Sequence, residues 1–158
     1  KAGMMSRAVM EITNFKVLNK RFFLMDTYEG LVHELYTEEE LAEGRSTGSG
    51  YRNSYEDVVK TFSEFENVII IKGAIPTTLP EADTNKVAYL HIDMNCTAPE
   101  IAAIEYFWPK VVDGGIVVLD DYGWDGHKFQ KAAFDKWADN IGVVILRLPT
   151  GQGIVIKH

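Results

Sequence analysis

Apolar residues recur along the chain in two patterns that favour different secondary structures. Near the start, Met4, Val9 and Ile12 follow a helical spacing, which predicts a helix over residues 4–14 with one buried face. Farther along, apolar runs such as 68–71 are continuous and rich in β-branched residues, as in strands that are buried on both faces of a parallel sheet. The two patterns alternate to the end of the chain.

This alternation, at roughly 30 residues per strand and helix, predicts an α/β fold with a doubly wound, mostly parallel, Rossmann-like sheet. The last two apolar runs are separated by the turn at 149–153, which is short enough for a hairpin, so the last strand is predicted to be antiparallel. The hairpin turn should lie at the carboxyl edge of the sheet. The predicted strands are 21–26, 68–71, 87–93, 115–121, 143–146 and 154–156, and the predicted helices begin near residues 4, 37, 54, 97 and 129.

Polar residues mark three of these helix starts. Thr37 with Glu40 matches a capping box, and Thr97 with Glu100 matches another, followed by the first turn of an apolar helix. Ser54 is predicted to cap the helix between them. The polar, glycine-rich segment 45–53 is predicted to be a mobile loop.

Composition places the chain among ordinary globular proteins of one domain, covering residues 1–158, with 46% hydrophobic and 25% charged residues. The formal net charge of -7 argues against a nucleic-acid partner, because phosphate binding needs clustered Lys and Arg. The sequence contains no apolar stretch long enough to span a bilayer, so no membrane partner is expected. The single cysteine, Cys96, excludes an internal disulfide, and a cytoplasmic location is expected.

Three acids follow two of the predicted strands. Asp93 ends the run 87–93, and Asp120 with Asp121 ends the run 115–121. Because ligands of open α/β sheets gather at the carboxyl ends of the strands, the three side chains are predicted to share one rim. Their mutual repulsion favours a bound hard cation such as Mg²⁺. The alternative is that each acid only caps the turn that follows its strand.

A fourth acid, Asp26, ends the strand that follows the first helix. In nucleotide-binding α/β folds an acid at this place accepts hydrogen bonds from ribose hydroxyls, and the alternative is again a turn cap. A glycine-rich loop should precede the first helix in such a fold, and Gly3 is its possible remnant.

Four short motifs, in this order and spacing, resemble the macrocin O-methyltransferase family. They are Asp26–Gly30, Lys72–Pro80, Leu90–Asp93 and Gly114–Gly123. The family's enzymes use S-adenosylmethionine and Mg²⁺ to methylate sugar hydroxyls, so the resemblance implies a class I methyltransferase fold, both of these cofactors, and a small-molecule or glycan acceptor.

The resemblance also implies roles for individual residues. Asp26 with Thr27 matches the position that binds the ribose of S-adenosylmethionine, and Gly73 with Ala74 the lining of the adenine pocket. Gly3 completes the predicted cofactor-binding set. The resemblance implies that the metal ligands are Asp93, Asp120 and Asp121.

The general base is where the sequence departs from the family. The family usually has a second aspartate two residues after the first metal ligand, and this chain has Asn95 there. An amide cannot take up a proton, so Asn95 is predicted to occupy the catalytic position without acting as the base. His127 is the candidate replacement, because the pKa of histidine suits proton transfer near neutral pH; the alternative is an exposed loop histidine. The other possibilities are that water deprotonates a metal-polarised hydroxyl, or that turnover is inefficient.

The family's first strand and its Glu-x-Gly loop should lie immediately before Lys1. That strand is central in the methyltransferase sheet, and its absence would leave two unpaired edges. We therefore expect the chain to be incomplete at its N-terminus. The alternative is a short homologue that takes a strand from a partner, which leaves a homo-oligomer open.

Three other functions remain open from the sequence. A catechol-type O-methyltransferase would use a similar carboxylate and Mg²⁺ arrangement. A metal-dependent phosphotransfer enzyme could use the same acids but lacks a phosphate-binding loop in this sequence. A non-catalytic cofactor-binding homologue would be consistent with Asn95. Within the methyltransferase interpretation, Gln152 and the loop at 45–53 are predicted to shape the acceptor pocket.

Overall fold

The computed structural model describes residues 3–44 and 52–158. Short 3₁₀ turns lie between some of its strands and helices. The alternation expected from the sequence is incomplete, because the strands Val68–Lys72 and Val87–Ile92 follow one another with only a 3₁₀ turn between them. The strands are β1 (Phe22–Asp26), β2 (Val68–Lys72), β3 (Val87–Ile92), β4 (Val111–Leu119), β5 (Leu146–Arg147) and β6 (Gly153–Ile156), and the helices are α1 (Met4–Ile12), α2 (Glu38–Ala42), α3 (Tyr55–Phe62), α4 (Thr97–Phe107) and α5 (Lys128–Ile141).

The chain divides into two compact units. The first unit comprises the described residues of Lys1–Gly30 and Ser49–Ala82, with a two-stranded parallel sheet of β1 and β2. The register pairs Phe22 with Val68 and Asp26 with Lys72, so both strands end at the same rim. The helices α1 and α3 belong to this unit. Its buried core consists of Met10, Phe15, Leu24, Tyr28, Val58, Phe62 and Phe65.

The second unit comprises the described residues of Leu31–Gly48 and Asp83–His158. Its sheet has the strand order β3-β4-β6-β5, in which β3 and β4 are parallel and β6 is antiparallel to both of its neighbours. Val117 and Leu119 of β4 and Val155 of β6 point to the buried face and are almost inaccessible to water. The predicted α/β class, with parallel strands and an antiparallel last strand, is therefore confirmed.

The hairpin of β5 and β6 differs in length from its prediction. The run 143–146 was expected to be a strand, but regular pairing is confined to Leu146 and Arg147. Val144 and Leu146 are both exposed, and β5 is the edge strand of this sheet. The direction is as expected, because β5 runs the same way as β4 with β6 between them.

Of the three predicted helix caps, one forms in full, one is right in position only, and one is wrong. The Thr37 and Glu40 capping box is present in full. At α4, however, the N-cap is Cys96, and the Glu100 side chain accepts a hydrogen bond from Met94 N instead of reaching back to Thr97. At α3, Ser54 is the N-cap residue as predicted, but its side chain makes no capping hydrogen bond, and Tyr55 N donates to the Asn53 side chain. In the described part of the chain, the helices are all too short or too polar to cross a bilayer.

Candidate functional site

Asp93, Asp120 and Asp121 converge at the carboxyl end of the sheet in the second unit. The register pairs Ile92 with Leu119, the last residues of β3 and β4, so the acids that follow them leave the sheet side by side. A hydrogen bond of 3.0 Å from Asp120 N to Ile92 O extends the pairing into this turn. One carboxylate oxygen from each aspartate lies within 4.8 Å of the others.

Negative charge is concentrated at this rim. Burial first, and then the neighbouring Asp120 carboxylate, raise the pKa of Asp93, although its side chain keeps contact with solvent. The buried Nε2 atom of His91 lies 3.5 Å from Asp120 Oδ1, and it has no hydrogen-bond partner among the described residues. Two amides also reach the cluster: Asn95 donates to Asp93 Oδ1 at 3.0 Å, and Gln152 donates to Asp120 Oδ1 at 3.2 Å.

This donor set fits a hard divalent cation. The ligand atoms offered are carboxylate oxygens, which Mg²⁺ and similar ions prefer over nitrogen or sulfur. Three acids from two neighbouring strand ends repel one another, and a cation between them would remove that repulsion. Burial is the larger cause of the raised pKa of Asp93, and repulsion from the Asp120 carboxylate adds to it.

Asn95 occupies a strained turn beside the cluster. Its φ of 55° is in the left-handed region, which asparagine tolerates better than most residues. Its side-chain nitrogen donates to Asp93, so the amide orients this carboxylate. Asn95 is therefore placed next to the predicted metal ligands, but it offers no group that could accept a proton.

His127 lies at the same rim, in the turn that precedes α5. Its Nδ1 atom is 3.5 Å from Asp121 Oδ2 and 2.8 Å from the amide nitrogen of Gln130. The ring is largely buried, so it is not the exposed loop histidine that the sequence left as the alternative. Because an amide nitrogen only donates, the Gln130 contact makes Nδ1 the acceptor of the neutral ring and places the ring proton on Nε2. For Nε2 to hold the lone pair that a base needs, the Gln130 amide has to be reversed so that its oxygen faces Nδ1.

Buried polar residues of α4 and α5 support the turn between Asp93 and Asn95. Glu100 accepts a hydrogen bond of 3.1 Å from Met94 N and is 4% exposed. Burial raises its pKa to about 8, against the lowering effect of this hydrogen bond and of contacts with Asn95 and Gln130. Gln130, 1% exposed, therefore connects Glu100 with His127. Sequence analysis missed this chain of contacts, and its only signal was two polar residues on apolar helix faces.

A second buried acid, Glu40, holds the other end of the same turn. Its carboxylate completes the capping box with Thr37 and also accepts hydrogen bonds from Thr97 N at 3.0 Å and Thr97 Oγ1 at 2.7 Å. The thiol of Cys96 donates to Leu35 O at 3.0 Å. These contacts join α2 to the start of α4, directly after Asn95.

In the first unit, Asp26 lies at the end of β1 with an exposed side chain. Its Oδ1 atom accepts a hydrogen bond of 2.8 Å from Tyr28 N, as in an Asx turn. The Thr27 hydroxyl donates to Gly30 O at 2.6 Å and closes the same turn. The turn-cap interpretation of Asp26 is thus realised, and it uses one oxygen of the carboxylate, so the other oxygen fits an additional donor such as a ribose hydroxyl.

Gly73 and Ala74 follow β2 at the same rim. Gly73 N donates to Asp26 O at 3.0 Å, which fixes the two strand ends against each other. Gly73 has a φ of 153°, and a Cβ on it would lie 2.5 Å from Thr78 Cγ2. Gly3 lies elsewhere in this unit, at the start of α1, where a Cβ would collide with the Phe62 ring. The structure thus brings together Asp26, Gly73 and Ala74.

The loop predictions have different outcomes. Gln152, in the turn between β5 and β6, lies at the aspartate rim through its contact with Asp120, as expected. Most of the predicted loop at 45–53 lies outside the described residues. Arg52, at its end, pairs with Asp57 at 3.2 Å.

Comparisons with known proteins identify a family for this chain. The family model described as macrocin O-methyltransferase (TylF) matches residues 1–143. No curated protein sequence matches the chain.

Several solved structures share the fold. The O-methyltransferase NovP superimposes with a TM-score of 0.79 at 19% identity, over 96% of this chain and 65% of its own. The calicheamicin methyltransferase CalS11 gives 0.68 at 17% identity, over 94% of this chain and 65% of its own. The Podospora anserina methyltransferase PaMTH1, in an SAH-bound structure, gives 0.57 at 14% identity, over 96% of this chain and 66% of its own. The chain thus spans slightly less than two thirds of the length of these proteins.

Proposed function

Because the chain belongs to the macrocin O-methyltransferase family, we propose that it functions in an S-adenosylmethionine-dependent O-methyltransferase that acts on a hydroxyl of a sugar or glycosylated metabolite. The observation that carries the proposal is the convergence of Asp93, Asp120 and Asp121 within 4.8 Å at the carboxyl rim. Substrates of open α/β sheets bind at this rim, and an acidic cluster there suits an acceptor that is bound through a cation.

The three aspartates are proposed to hold Mg²⁺. When bound, such an ion supplies charge that polarises an acceptor hydroxyl and fixes its orientation. Asn95 and Gln152 orient the ligands by donating to Asp93 and Asp120. Since Asp93 must be ionised to bind a cation and its pKa is raised, cation affinity should fall as the pH is lowered toward that pKa.

S-adenosylmethionine is proposed to bind through the strand ends of the first unit. Asp26 would accept a hydrogen bond from a ribose hydroxyl with the oxygen that the Tyr28 turn leaves available. The backbone of Gly73 and Ala74 would line the adenine pocket, and Thr27 would support the acid through its turn. Gly3 is proposed to contact the same cofactor from the start of α1. PaMTH1, a fold neighbour, is described as SAH-bound.

Proton removal is proposed to fall to His127. Asn95 has no basic group, whereas the His127 ring lies beside Asp121, a metal ligand in this proposal. With the Gln130 amide reversed, so that Nδ1 is protonated toward the amide oxygen and Asp121, Nε2 would accept the hydroxyl proton as the methyl group is transferred. The catalytic contribution of the chain is then positioning and charge control.

A sugar acceptor is favoured over a catechol. CalS11 is described as a TDP-rhamnose 3'-O-methyltransferase, and the family is described by macrocin methylation. The catechol alternative stays open, because it would use the same carboxylates.

The proposal is tested by calorimetry and by a methyl-transfer assay with the whole protein. We expect S-adenosylmethionine to bind, and a labelled methyl group to pass to a glycoside in the presence of Mg²⁺ but not after chelation. A matched assay with catechol identifies the acceptor class. Failure to bind S-adenosylmethionine would contradict the proposed activity, and transfer that persists after chelation would contradict the metal site.

Asn95 favours a second candidate function, a homologue that binds the cofactor without efficient turnover. The Asn95→Asp variant separates the two. If the chain has lost its base, the aspartate should raise turnover strongly. If His127 is the base, Asn95→Asp should change turnover little, and His127→Gln should reduce it by roughly 100-fold or more, the ordinary contribution of a general base.

A further inference from the structure

The loop that follows the aspartate pair presents an exposed indole. Trp124 is 56% exposed, whereas Trp137 of α5 is 6% exposed and packs edge-on against Trp108. A large aromatic ring with most of its surface in water gives up the burial that usually stabilises such a residue. An exposed tryptophan whose ring is held in place therefore offers a surface for a ligand.

Glycine at position 151 holds the ring of Trp124. A Cβ on Gly151 would lie 2.3 Å from Trp124 Nε1 and 2.8 Å from Cδ1 and Cε2, so the glycine backbone packs closely on the five-membered ring. The φ of 99° at Gly151 also disfavours any other residue. The exposed surface of Trp124 thus belongs to an indole whose five-membered ring packs on the glycine backbone.

Backbone hydrogen bonds fix the loop itself. Trp124 N donates to Asp121 O at 3.1 Å, and Gly123 N donates to Gly151 O at 2.6 Å. The Arg147 guanidinium donates to Gly123 O at 2.5 Å. These hydrogen bonds hold the two loops together and fix the loop that carries the indole. A ligand that binds the ring would therefore lose little affinity from ordering this loop.

The same two loops carry the polar groups of the rim. Asp121 lies three residues before Trp124, and Gln152 follows Gly151 and donates to Asp120 at 3.2 Å. A flat apolar surface is therefore joined to acceptor and donor groups through a short, rigid backbone. A pyranose ring has matching chemistry, with a face of C–H groups and hydroxyls at its edge.

We propose that Trp124, supported by Gly151, is the platform on which the sugar ring of the acceptor stacks, with Gln152 beside its hydroxyls. The inference rests on the proposed function, since it assigns part of the acceptor site. It also predicts the ligand class, because a pyranose needs a wide flat platform and hydrogen-bond partners together.

The test uses the three tryptophans as reporters. In a ¹⁵N-labelled protein with Mg²⁺ and S-adenosylhomocysteine, methyl glucoside, methyl mannoside and methyl rhamnoside are titrated, and the indole N–H signals are followed. We expect the Trp124 signal to move with at least one of them, while those of Trp108 and Trp137 stay in place. No movement of Trp124 with any of the three, or movement with catechol alone, would overturn the proposal.

Variants at the same position give a second measurement. Trp124→Leu should weaken glycoside binding about 2- to 12-fold, because stacking on a ring contributes roughly 0.5–1.5 kcal/mol beyond area burial. Trp124→Phe should retain most of the affinity, and S-adenosylmethionine binding should be unchanged in both. Equal losses of glycoside and S-adenosylmethionine binding in Trp124→Leu would overturn the assignment.

The two proposals fail in different ways. Absence of S-adenosylmethionine binding with a normal glycoside shift at Trp124 would reject the methyltransferase activity and leave the sugar platform intact. Normal S-adenosylmethionine binding and methyl transfer, with no effect of Trp124→Leu on the acceptor KM, would reject the platform alone.

Discussion

Glu40 and the aspartate rim are two acidic regions of the second unit that differ in their supply of hydrogen-bond donors. The Glu40 carboxylate is fully buried, and Thr37 N, Thr97 N and Thr97 Oγ1 all donate to it at 2.7–3.0 Å. At the rim, the carboxylate oxygens of three aspartates face one another within 4.8 Å. The burial of Glu40 is thus explained by the contacts around it, whereas for the three aspartates we propose a bound cation.

This difference separates acids that stabilise the fold from acids that serve a site. An acid surrounded by donors should lower stability when it is removed, since its donors lose their partner. An acid surrounded by other acids should cost little stability, or even raise it, when it is neutralised. Substituting an acid tests whether it stabilises the fold or serves the site.

Glu100 is expected to give the largest effect, and it depends on pH. Its pKa of about 8 lies above the ordinary 4.5, so between these values the folded state holds a proton that the unfolded chain has released. The free energy of unfolding should therefore fall as the pH rises through this window, by about 3–6 kcal/mol at roughly 1.4 kcal/mol per unit. Glu100→Gln should remove this fall.

Urea unfolding of the wild-type protein and of Glu100→Gln from pH 4.5 to 9 measures the difference. Glu105→Gln, on the exposed face of the same helix, is the control and should follow the wild-type curve. Parallel curves for wild type and Glu100→Gln would show that Glu100 is ionised in the fold like an ordinary surface acid.

Glu40→Ala should destabilise the second unit by about 3 kcal/mol or more, because it leaves several buried donors without their acceptor. Glu40→Gln keeps one acceptor and should cost less. Glu39→Ala removes an exposed acid of the same helix and serves as the control. A thermal melt of Glu40→Ala that matches the Glu39→Ala melt would place Glu40 among the dispensable acids.

Asp120→Asn should weaken Mg²⁺ or Mn²⁺ binding about 100-fold, or roughly 2.7 kcal/mol. Its melting temperature without metal should be unchanged or higher, since the variant relieves repulsion at the rim. Asp113→Asn neutralises an exposed acid of the same strand and should bind the cation normally. Calorimetric titration measures the affinity, and equal cation affinity in the two variants would contradict the metal site.

Asp26→Ala should reduce S-adenosylmethionine affinity by about 1.5–3 kcal/mol if the acid accepts a ribose hydrogen bond. Asp26→Asn keeps the acceptor for Tyr28 N and loses only the charge, so a smaller loss is expected. Asp57→Asn, an exposed acid of the same unit, is the control. Unchanged S-adenosylmethionine affinity in Asp26→Ala would show that Asp26 only caps its turn.

The strand ends were predictable because the physics that fixes them is local. The runs that contain β3 and β4 are continuous and apolar, and a parallel sheet aligns its carboxyl ends, so the meeting of Asp93 with Asp120 followed from the sequence. The position of Gln152 followed from the short hairpin in the same way.

The partners of buried polar residues were not predictable, because they depend on contacts far apart in the sequence. The expected capping box at Thr97 is absent because Glu40, 57 residues earlier, accepts from both its backbone nitrogen and its hydroxyl. Glu100 is turned instead toward Met94. Long-range contacts thus replace the local capping box that the sequence pattern around Thr97 predicts. The short β5 has the same kind of cause, since a sequence pattern does not tell which strand becomes the edge of the sheet.

The backbone at Asn95 has an evolutionary consequence. Its φ of 55° is among the conformations that asparagine and aspartate adopt more readily than other residues with a Cβ, and their codons differ by one base. A lineage can therefore exchange amide for acid here without remodelling the turn. The exchange would add a fourth negative charge about one hydrogen bond away from Asp93, where Asn95 now donates at 3.0 Å. Selection at position 95 can therefore change the charge of the aspartate rim without changing the fold. Substitution at this one position is thus a simple route by which activity can diverge.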